Sequence, residues 1–361
     1  MSKICFIANL FPSEKDPSFG SFVGKNYEQL KSQGNDIVSK VVIDYRASGM
    51  DKLRCYLRFI GRGIRAIAKR DYDYIYFHYL TYSTLCLLPF LLVNRPRYVV
   101  NIHGDDLVGD TPIHKVMGST SKLVLKYSAA VIVPSSFFKA TLLELHPWYD
   151  KDKIIVSPSG GVDFSLFKPE AVAPKPGFTL GYVSRVDEGK GWQELLEALA
   201  ILKRSRPEIL EGFKLKMFGT GAQVDALNTQ IEALELTSLV TYFGALKPQE
   251  LANKYCEMDA FIFPTHRESF GLVAVEALAC GTPVLASNIS PVNEVVLDGK
   301  NGLLFEVKNA NAIAASITSI LTMKKQDFAT LCSHTRESVK HYNATQVAKQ
   351  LDQELKKRLS T

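Results

Sequence analysis

The chain has 361 residues, more than twice the roughly 150 of a comfortable single domain, so two domains of similar size are expected. Hydrophobic residues make up 46% and charged residues 22%, which excludes a disordered or fibrous chain. The formal charge of +6 resides wholly in residues 1–170, with 22 basic and 16 acidic side chains, because residues 171–361 hold 21 of each. That asymmetry suits an anionic surface or ligand near the first half better than nucleic-acid binding.

The N-terminal MSKICFIANLFP has too short an apolar run for a signal peptide and reads as a first strand, KICFIA. DIVSKVVI, YIYFH, RYVVNIH, AAVIVP and KIIVSP follow as strands buried on both faces. Helices are expected between them at Phe22–Gln33, Leu53–Lys69, Lys122–Tyr127 and Phe137–Leu145. Tyr74 to Val93 is twenty residues without Asp, Glu, Lys or Arg, the length of a membrane span. Four tyrosines, His78 and Pro89 spoil its hydropathy, so a buried strand, a turn and an apolar helix are expected there. The Pro-rich segment 167–177 reads as an interdomain linker.

Alternation then restarts: FTLGYVS, FKLKMFG, LVTYFG, AFIFP and PVLAS as strands, with helices at Trp192–Lys203, Ala222–Ala233, Pro248–Tyr255 and Phe270–Cys280. The tail from Ala310 is helical. Repeated strand–helix units imply parallel, doubly wound sheets, and two in tandem imply a ligand cleft at the carboxyl ends of their strands. Six scattered cysteines with no metal-ligand spacing read as reduced thiols of a cytosolic protein.

Local chemistry concentrates in a few loops. After AFIFP come His266, Arg267 and Glu268, with a helix expected to begin near Ser269–Phe270 and run to Cys280 before Gly281. The amides of Ser269, Phe270 and Gly271 would then be helix-start donors for an anion, with Glu268 and Glu276 available to hydroxyls. A capping Glu and a solvated Glu are the plainer alternative. Arg185 and Lys190 lie in a loop before another helix, suited to a diphosphate or to bare solvent. His103-Gly104-Asp105-Asp106 ends a strand, Gly20-Ser21 follows the first strand, and Gly219 and Gly221 form a strand-to-helix turn that lacks the third glycine of a dinucleotide fingerprint.

Together these residues resemble the retaining glycosyltransferases of family 4, over nearly the whole chain and most strongly from Gly181 to Glu306. The matching elements are E-x7-E (Glu268 to Glu276), G-x-x-S-R-x-x-x-x-K-G (Arg185, Lys190), FGTG with TYFGAL, PVNEVVLDGKNGLLF with Glu294, HGDD and SGGVD. The resemblance implies a GT-B fold, α/β, with two doubly wound Rossmann-like domains facing each other across a cleft. It implies an acceptor-binding domain at 1–166, a linker at 167–177, a nucleotide-sugar domain at 178–340, and a C-terminal helix at 341–361 packing back on the first domain. By it, Arg185 and Lys190 bind the donor diphosphate, Glu276 holds the ribose, and Glu268 lies over the donor sugar beside Ser269, Phe270 and Gly271. Gly219 and Gly221 join the donor side, His103 contacts the sugar, and Gly20, Ser21 and Asp106 belong to the acceptor side. Catalysis is thereby assigned to Glu268, His103, Arg185 and Lys190.

The implied reaction moves a sugar from a nucleotide-diphosphate sugar, UDP ahead of GDP, to a glycan or lipid-linked acceptor in bacterial surface polysaccharide or lipopolysaccharide assembly. No cofactor and no metal are implied. A sugar-nucleotide epimerase or a catalytically dead sugar-nucleotide-binding module are the rival readings. One departure stands out: Gly160 occupies the place of the Asn in the family's Asn-Gly-Val-Asp. Asp71-Tyr72-Asp73 matches a metal-binding DxD but precedes an apolar strand, so it reads as a strand start.

Residues 53–70 set Arg54, Arg58, Arg62, Arg65, Lys69 and Arg70 among Leu53, Tyr56, Leu57, Ile60, Ile64 and Ile67. Such a helix lies on anionic headgroups, at the inner face of the plasma membrane, or serves as the solvated outer face of a packed helix; both readings stand. No nucleic-acid reader is recognisable.

Overall fold

The structure is a computed structural model that describes residues 1–16, 18–108, 112–173 and 175–359, without the side chains of 112–117. The chain forms two compact units, Met1–Gly161 with Ala344–Thr361, and Val162–Asn343.

The first unit runs β1 (Lys3–Ala8), α1 (Ser21–Ser32), β2 (Asp36–Val42), α2 (Gly49–Lys69), β3 (Tyr74–His78), α3 (Leu88–Leu91), β4 (Tyr98–Asn101), α4 (Asp105–Val108), α5 (Pro112–Tyr127), β5 (Ala130–Val133), α6 (Ser136–Leu145) and β6 (Ile154–Val156). Its strands form a parallel six-stranded sheet in the order β2-β1-β3-β4-β5-β6. Strands such as Tyr74–His78 are buried at every position, as their unbroken apolar character requires of a sheet covered on both faces.

The second unit runs β7 (Phe178–Val183), α7 (Trp192–Ser205), β8 (Phe213–Phe218), α8 (Val224–Ala233), β9 (Val240–Tyr242), α9 (Pro248–Glu257), β10 (Ala260–Phe263), α10 (Leu272–Ala279), β11 (Val284–Ser287), α11 (Val292–Val295), β12 (Gly302–Phe305), α12 (Ala310–Leu321) and α13 (Lys325–Val339). Its parallel sheet has the order β12-β11-β10-β7-β8-β9. The last helix, α14 (Ala344–Leu359), belongs to the first unit, where Leu351 and Leu355 join the apolar cluster of Phe6, Tyr76 and Leu30.

Strand order reverses between β1 and β3 in the first sheet and between β7 and β10 in the second. In open parallel sheets a ligand crevice forms at that reversal, beyond the carboxyl ends of the strands.

The first compact unit runs to Gly161 and the second begins at Val162. Phe164 and Phe167 are buried in the second unit's core, and Arg336 donates to the carbonyls of Phe164 (3.1 Å), Phe167 (2.9 Å) and Ala279 (2.5 Å). Three expected helix starts need correction. α5 begins ten residues before Lys122, at Pro112. α2 begins at Gly49, before the Leu53 expected. α10 begins at Leu272 because Gly271, at φ +91°, takes the N-cap, and Phe270 turns inward against the Tyr342 ring, 5.1 Å away. Segment 74–93 contains β3, a 3-10 turn at Tyr82–Leu87 and the short α3; among the described residues no helix is long and apolar enough to cross a membrane. Asp73 precedes β3 and accepts the Lys3 amide at 2.7 Å.

Candidate functional site

In the second unit the loops after β7 and β10 leave the sheet at the strand-order reversal. Gly191, the N-cap of α7, has φ +70°, and a Cβ there would sit 1.9 Å from the Pro264 carbonyl oxygen. Only glycine lets the two loops approach so closely. His266 N–H donates to the Gly189 carbonyl at 2.9 Å, and His266 Nε2 lies 3.1 Å from Glu194 Oε1.

Held in this way, Lys190 Nζ donates to Glu268 Oε1 at 2.5 Å, and Thr265 Oγ1 lies 3.4 Å from the same oxygen. A half-buried cation and carboxylate neutralise one another here, which satisfies both groups until another anion arrives. Arg185 has a different partner, Asp187, at 2.9 Å, and its side chain is 73% exposed. Asp187 also accepts the Ala222 amide at 2.8 Å, tying this loop to the turn after β8. That turn carries Gly219 and Gly221. A Cβ on Gly219 would lie 1.8 Å from the Ser184 carbonyl oxygen, and one on Gly221 would lie 2.2 Å from that of Val186. Both glycines therefore permit the turn to pack under the Arg185 loop.

Ser269 and Phe270 belong to the loop before α10, and Gly271 is its N-cap, so the amides of the first helical turn are those of Leu272 onward. Glu276, one turn further along, accepts from the hydroxyl of buried Tyr255 at 3.2 Å. Neither Thr265 nor Tyr255 was a sequence candidate, since each is set by a contact between elements distant in the chain.

The first unit presents a second constellation at its own reversal. Gly20 caps α1 at φ +74°, and a Cβ there would meet Leu10 Cδ1 at 2.3 Å; exposed Ser21 opens the helix. His103 follows β4. Buried Asp106 accepts the amides of both Leu80 and His103, each at 2.8 Å, so its carboxylate braces the turn. Burial raises this carboxyl to about 6.

His78, last residue of β3, connects these residues. Its Nδ1 lies 2.8 Å from His103 Nε2 and its Nε2 lies 3.1 Å from Asn26 Oδ1. Burial holds His78 well below the usual imidazole range, helped by His103, and pushes His103 down to about 3, so both rings are neutral at pH 7. The amide oxygen of Asn26 can only accept, so His78 Nε2 carries the proton and His78 Nδ1 is the acceptor. His103 must then donate from Nε2, which makes its Nδ1 an acceptor. His78 and Asn26 escaped the sequence reading; the β3–β4 register, His78 opposite Asn101, brings His103 within reach.

Where Gly160 replaces the expected Asn, Ser159, Gly160 and Gly161 all have positive φ. The carbonyls of Gly160 and Gly161 accept from Gln29 at 2.6 Å and Lys25 at 2.5 Å. Among the described residues no group of three His, Cys, Asp or Glu side chains is placed to hold a metal ion.

Residues 163–356 match the family described as Glycosyl transferases group 1, and residues 24–164 match Glycosyltransferase Family 4. A D-inositol 3-phosphate glycosyltransferase of Arthrobacter sp. (strain FB24) is 33% identical over 188 residues, 49% of this chain and 44% of that protein. The chain thus spans less than half the length of that curated relative. Among solved structures, sucrose-phosphate synthase of Thermosynechococcus elongatus superposes with a TM-score of 0.78 at 22% identity, covering 100% of both chains. Anabaena HepE, solved with UDP and glucose, gives 0.75 at 18% identity, covering 99% of this chain and 100% of its own. At such identities the likeness is one of fold: two Rossmann-like domains of the GT-B type.

Proposed function

The chain belongs to the group 1 glycosyl transferases, and from that premise we propose that it moves a sugar from a nucleoside diphosphate sugar to a glycan acceptor with retention of anomeric configuration. The observation that carries this reading is the Lys190–Glu268 pair on the two loops at the strand-order reversal of the second sheet. A cation and a carboxylate there match the two needs of a sugar nucleotide, a counter-charge for phosphate and an acceptor for hydroxyls.

In this mechanism Lys190 and Arg185 neutralise the diphosphate, Glu276 holds the ribose, and Glu268 with the Ser269–Gly271 backbone orients the donor sugar. Gly219 and Gly221 keep the Arg185 loop in place. His103 accepts from a sugar hydroxyl at Nδ1, and Gly20, Ser21 and Asp106 shape the acceptor side. The bond from the anomeric carbon to the phosphate oxygen breaks, and the acceptor oxygen bonds to the same face. The departing phosphate oxygen takes the acceptor proton. Fixed cations aimed at the developing phosphate charge lower the barrier, and because Lys190 and Arg185 supply that charge, transfer is expected to persist in EDTA. Support for a uridine donor is the fold likeness to a protein solved with UDP and glucose.

The acceptor is proposed to be lipid-linked, in assembly of a bacterial surface polysaccharide or lipopolysaccharide at the inner face of the plasma membrane. The support is α2, where Met50, Leu53 and Leu57 are exposed beside exposed Arg54, Arg58, Arg62 and Arg65. Apolar side chains among arginines suit a headgroup layer. The Arg58→Glu, Arg62→Glu, Arg65→Glu variant should cease to float with anionic vesicles, and unchanged flotation would overturn this part.

Incubation with UDP-glucose, UDP-galactose and UDP-N-acetylglucosamine plus a lipid-extract acceptor, followed by proton NMR of the product, tests the reaction. The expected product keeps the donor's α-anomeric coupling. A β product would overturn retention, and conversion of the sugar nucleotide without acceptor would replace transfer by epimerisation.

A further inference from the structure

A cavity of about 670 Å³ opens on the first unit, lined by Ser119, Lys122, Leu123 and Lys126 of α5 and by Trp148, Tyr149, Asp150 and Lys153 ahead of β6. Lys126 and Lys153 precede β5 and β6, whereas His103 follows the carboxyl end of β4. In a parallel sheet these are opposite ends, separated by at least a four-residue strand, or roughly 13 Å. The cavity is therefore distinct from the His103 constellation.

Its lining is out of balance in two ways. Lys122 and Lys126 stand at i and i+4 on one helix face, where like charges repel, and Lys153 adds a third cation. Among the described residues none of the three makes an ion pair, Lys126 Nζ lies 5.6 Å over the Tyr127 ring, and Asp150, which accepts the Asp152 amide at 2.9 Å, sets one carboxylate against three cations. Lys122 also bears on His146, which burial first and that charge second hold below its ordinary pKa; His146 Nδ1 is buried with no hydrogen-bond partner among the described residues.

The second imbalance is aromatic. Trp148 is 51% exposed although it packs on the His146 ring at 5.5 Å and on Tyr149 at 6.0 Å. Tyr149 itself is buried and hydrogen-bonded to Ser128 at 2.8 Å, so the platform is fixed from below. A large aromatic face left open in a cavity with an excess of cations suits a ligand with an apolar ring face and a negative group. In a glycosyl transferase the matching chemistry is a sugar: the C–H face of a pyranose on the indole, a carboxylate or phosphate among the lysines.

We propose that this cavity is a secondary binding site for an acidic saccharide, at the end of the first unit's sheet opposite to His103. The inference rests on the glycosyl transferase reading for the identity of its ligand as a sugar.

The chain has two tryptophans, and Trp192 is only 2% exposed, so Trp148 reports on the cavity by fluorescence. The full chain is titrated with a glucuronate-containing tetrasaccharide and with glucose 1-phosphate, against maltotetraose, inorganic phosphate and UMP. At least one acidic sugar is expected to change the emission saturably, at least tenfold more tightly than maltotetraose, phosphate or UMP. The change should vanish in Trp148→Phe, and Lys122→Gln/Lys126→Gln should weaken it at least tenfold. No response to either acidic sugar, equal binding of a neutral sugar, of bare phosphate or of UMP, or an unchanged affinity in the lysine variant would overturn the proposal. The melting shift produced by UDP, measured on the same lysine variant, separates the two readings: its loss from every form with sugar quenching intact would remove the donor site alone.

Discussion

Lys190 Nζ stands 2.5 Å from Glu268 Oε1 across 78 residues of sequence, with the two side chains only 16% and 20% exposed. Each group is the other's counter-ion, so in the proposed mechanism a diphosphate that takes Lys190 would also release Glu268 for a sugar hydroxyl. Removing the carboxylate should therefore separate binding from turnover. Glu268→Gln is expected to bind UDP a few-fold more tightly while kcat falls about 10²-fold. Lys190→Ala should weaken both UDP affinity and kcat/KM, the latter by roughly 10²–10³-fold. Calorimetric titration of UDP with steady-state kinetics checks the pair. Equal loss of UDP affinity in both variants would contradict the competition.

The His78–His103 contact predicts a tautomer. Nitrogen-15 NMR of the imidazoles should find His103 protonated at Nε2 and His78 protonated at Nε2. His78→Phe keeps a ring in place but removes the acceptor, and His103 should then show a mixture of tautomers, with kcat about tenfold lower. An unchanged His103 spectrum in the variant would show that His78 does not set its proton.

The same pair makes stability depend on pH. Both imidazoles are depressed in the folded state, His103 from 6.5 to about 3. Below about pH 6.5 the unfolded chain therefore binds more protons, and stability is lost as pH falls from there toward 3. Asp106 acts oppositely: with its carboxyl raised from 3.8 to about 6, its contribution declines as pH rises through that interval. Thermal melts at pH 7.5 and 5.0 should show a larger acid loss in the wild-type chain than in His78→Phe/His103→Phe. A double variant with the same acid loss would contradict this.

Arg336 joins α13 to the segment entering the second unit and to the carbonyl end of α10, with its guanidinium 4.8 Å over the Phe164 ring. Replacement by Leu strands three carbonyls and should cost ~3 kcal/mol, since bonds from a charged donor contribute ~1.5–3 kcal/mol each and partial rehydration offsets some of the loss. Denaturant melts measure it, with Arg336→Lys expected to recover part. A loss below about 0.5 kcal/mol would show the contacts to be incidental.

Much of this was legible in the sequence because apolar runs ending at Ser184 and Pro264 mark strand ends wherever the sheet is buried on both faces. The loops carrying Lys190 and Glu268 follow from those ends. Helix starts were read less well. Phe270 is apolar and looks helical, yet Gly271 at φ +91° breaks the backbone and sends Phe270 to Tyr342. Phe164 and Phe167 sit in the second unit's core held by Arg336, a contact 169 residues away for Phe167 that no local pattern contains. His78 reads as one more buried strand residue until the β3–β4 register sets it beside His103.

The most direct test of the donor site is the melting temperature of the full chain with and without saturating UDP, in the wild type and in Lys190→Ala. A ligand at a hundredfold over its dissociation constant adds ~2.7 kcal/mol to stability, well within reach of a melting curve. A clear upward shift in the wild type that persists in EDTA and disappears in Lys190→Ala is the predicted result. No shift in the wild type, or an equal shift in Lys190→Ala, would contradict a diphosphate site at Lys190.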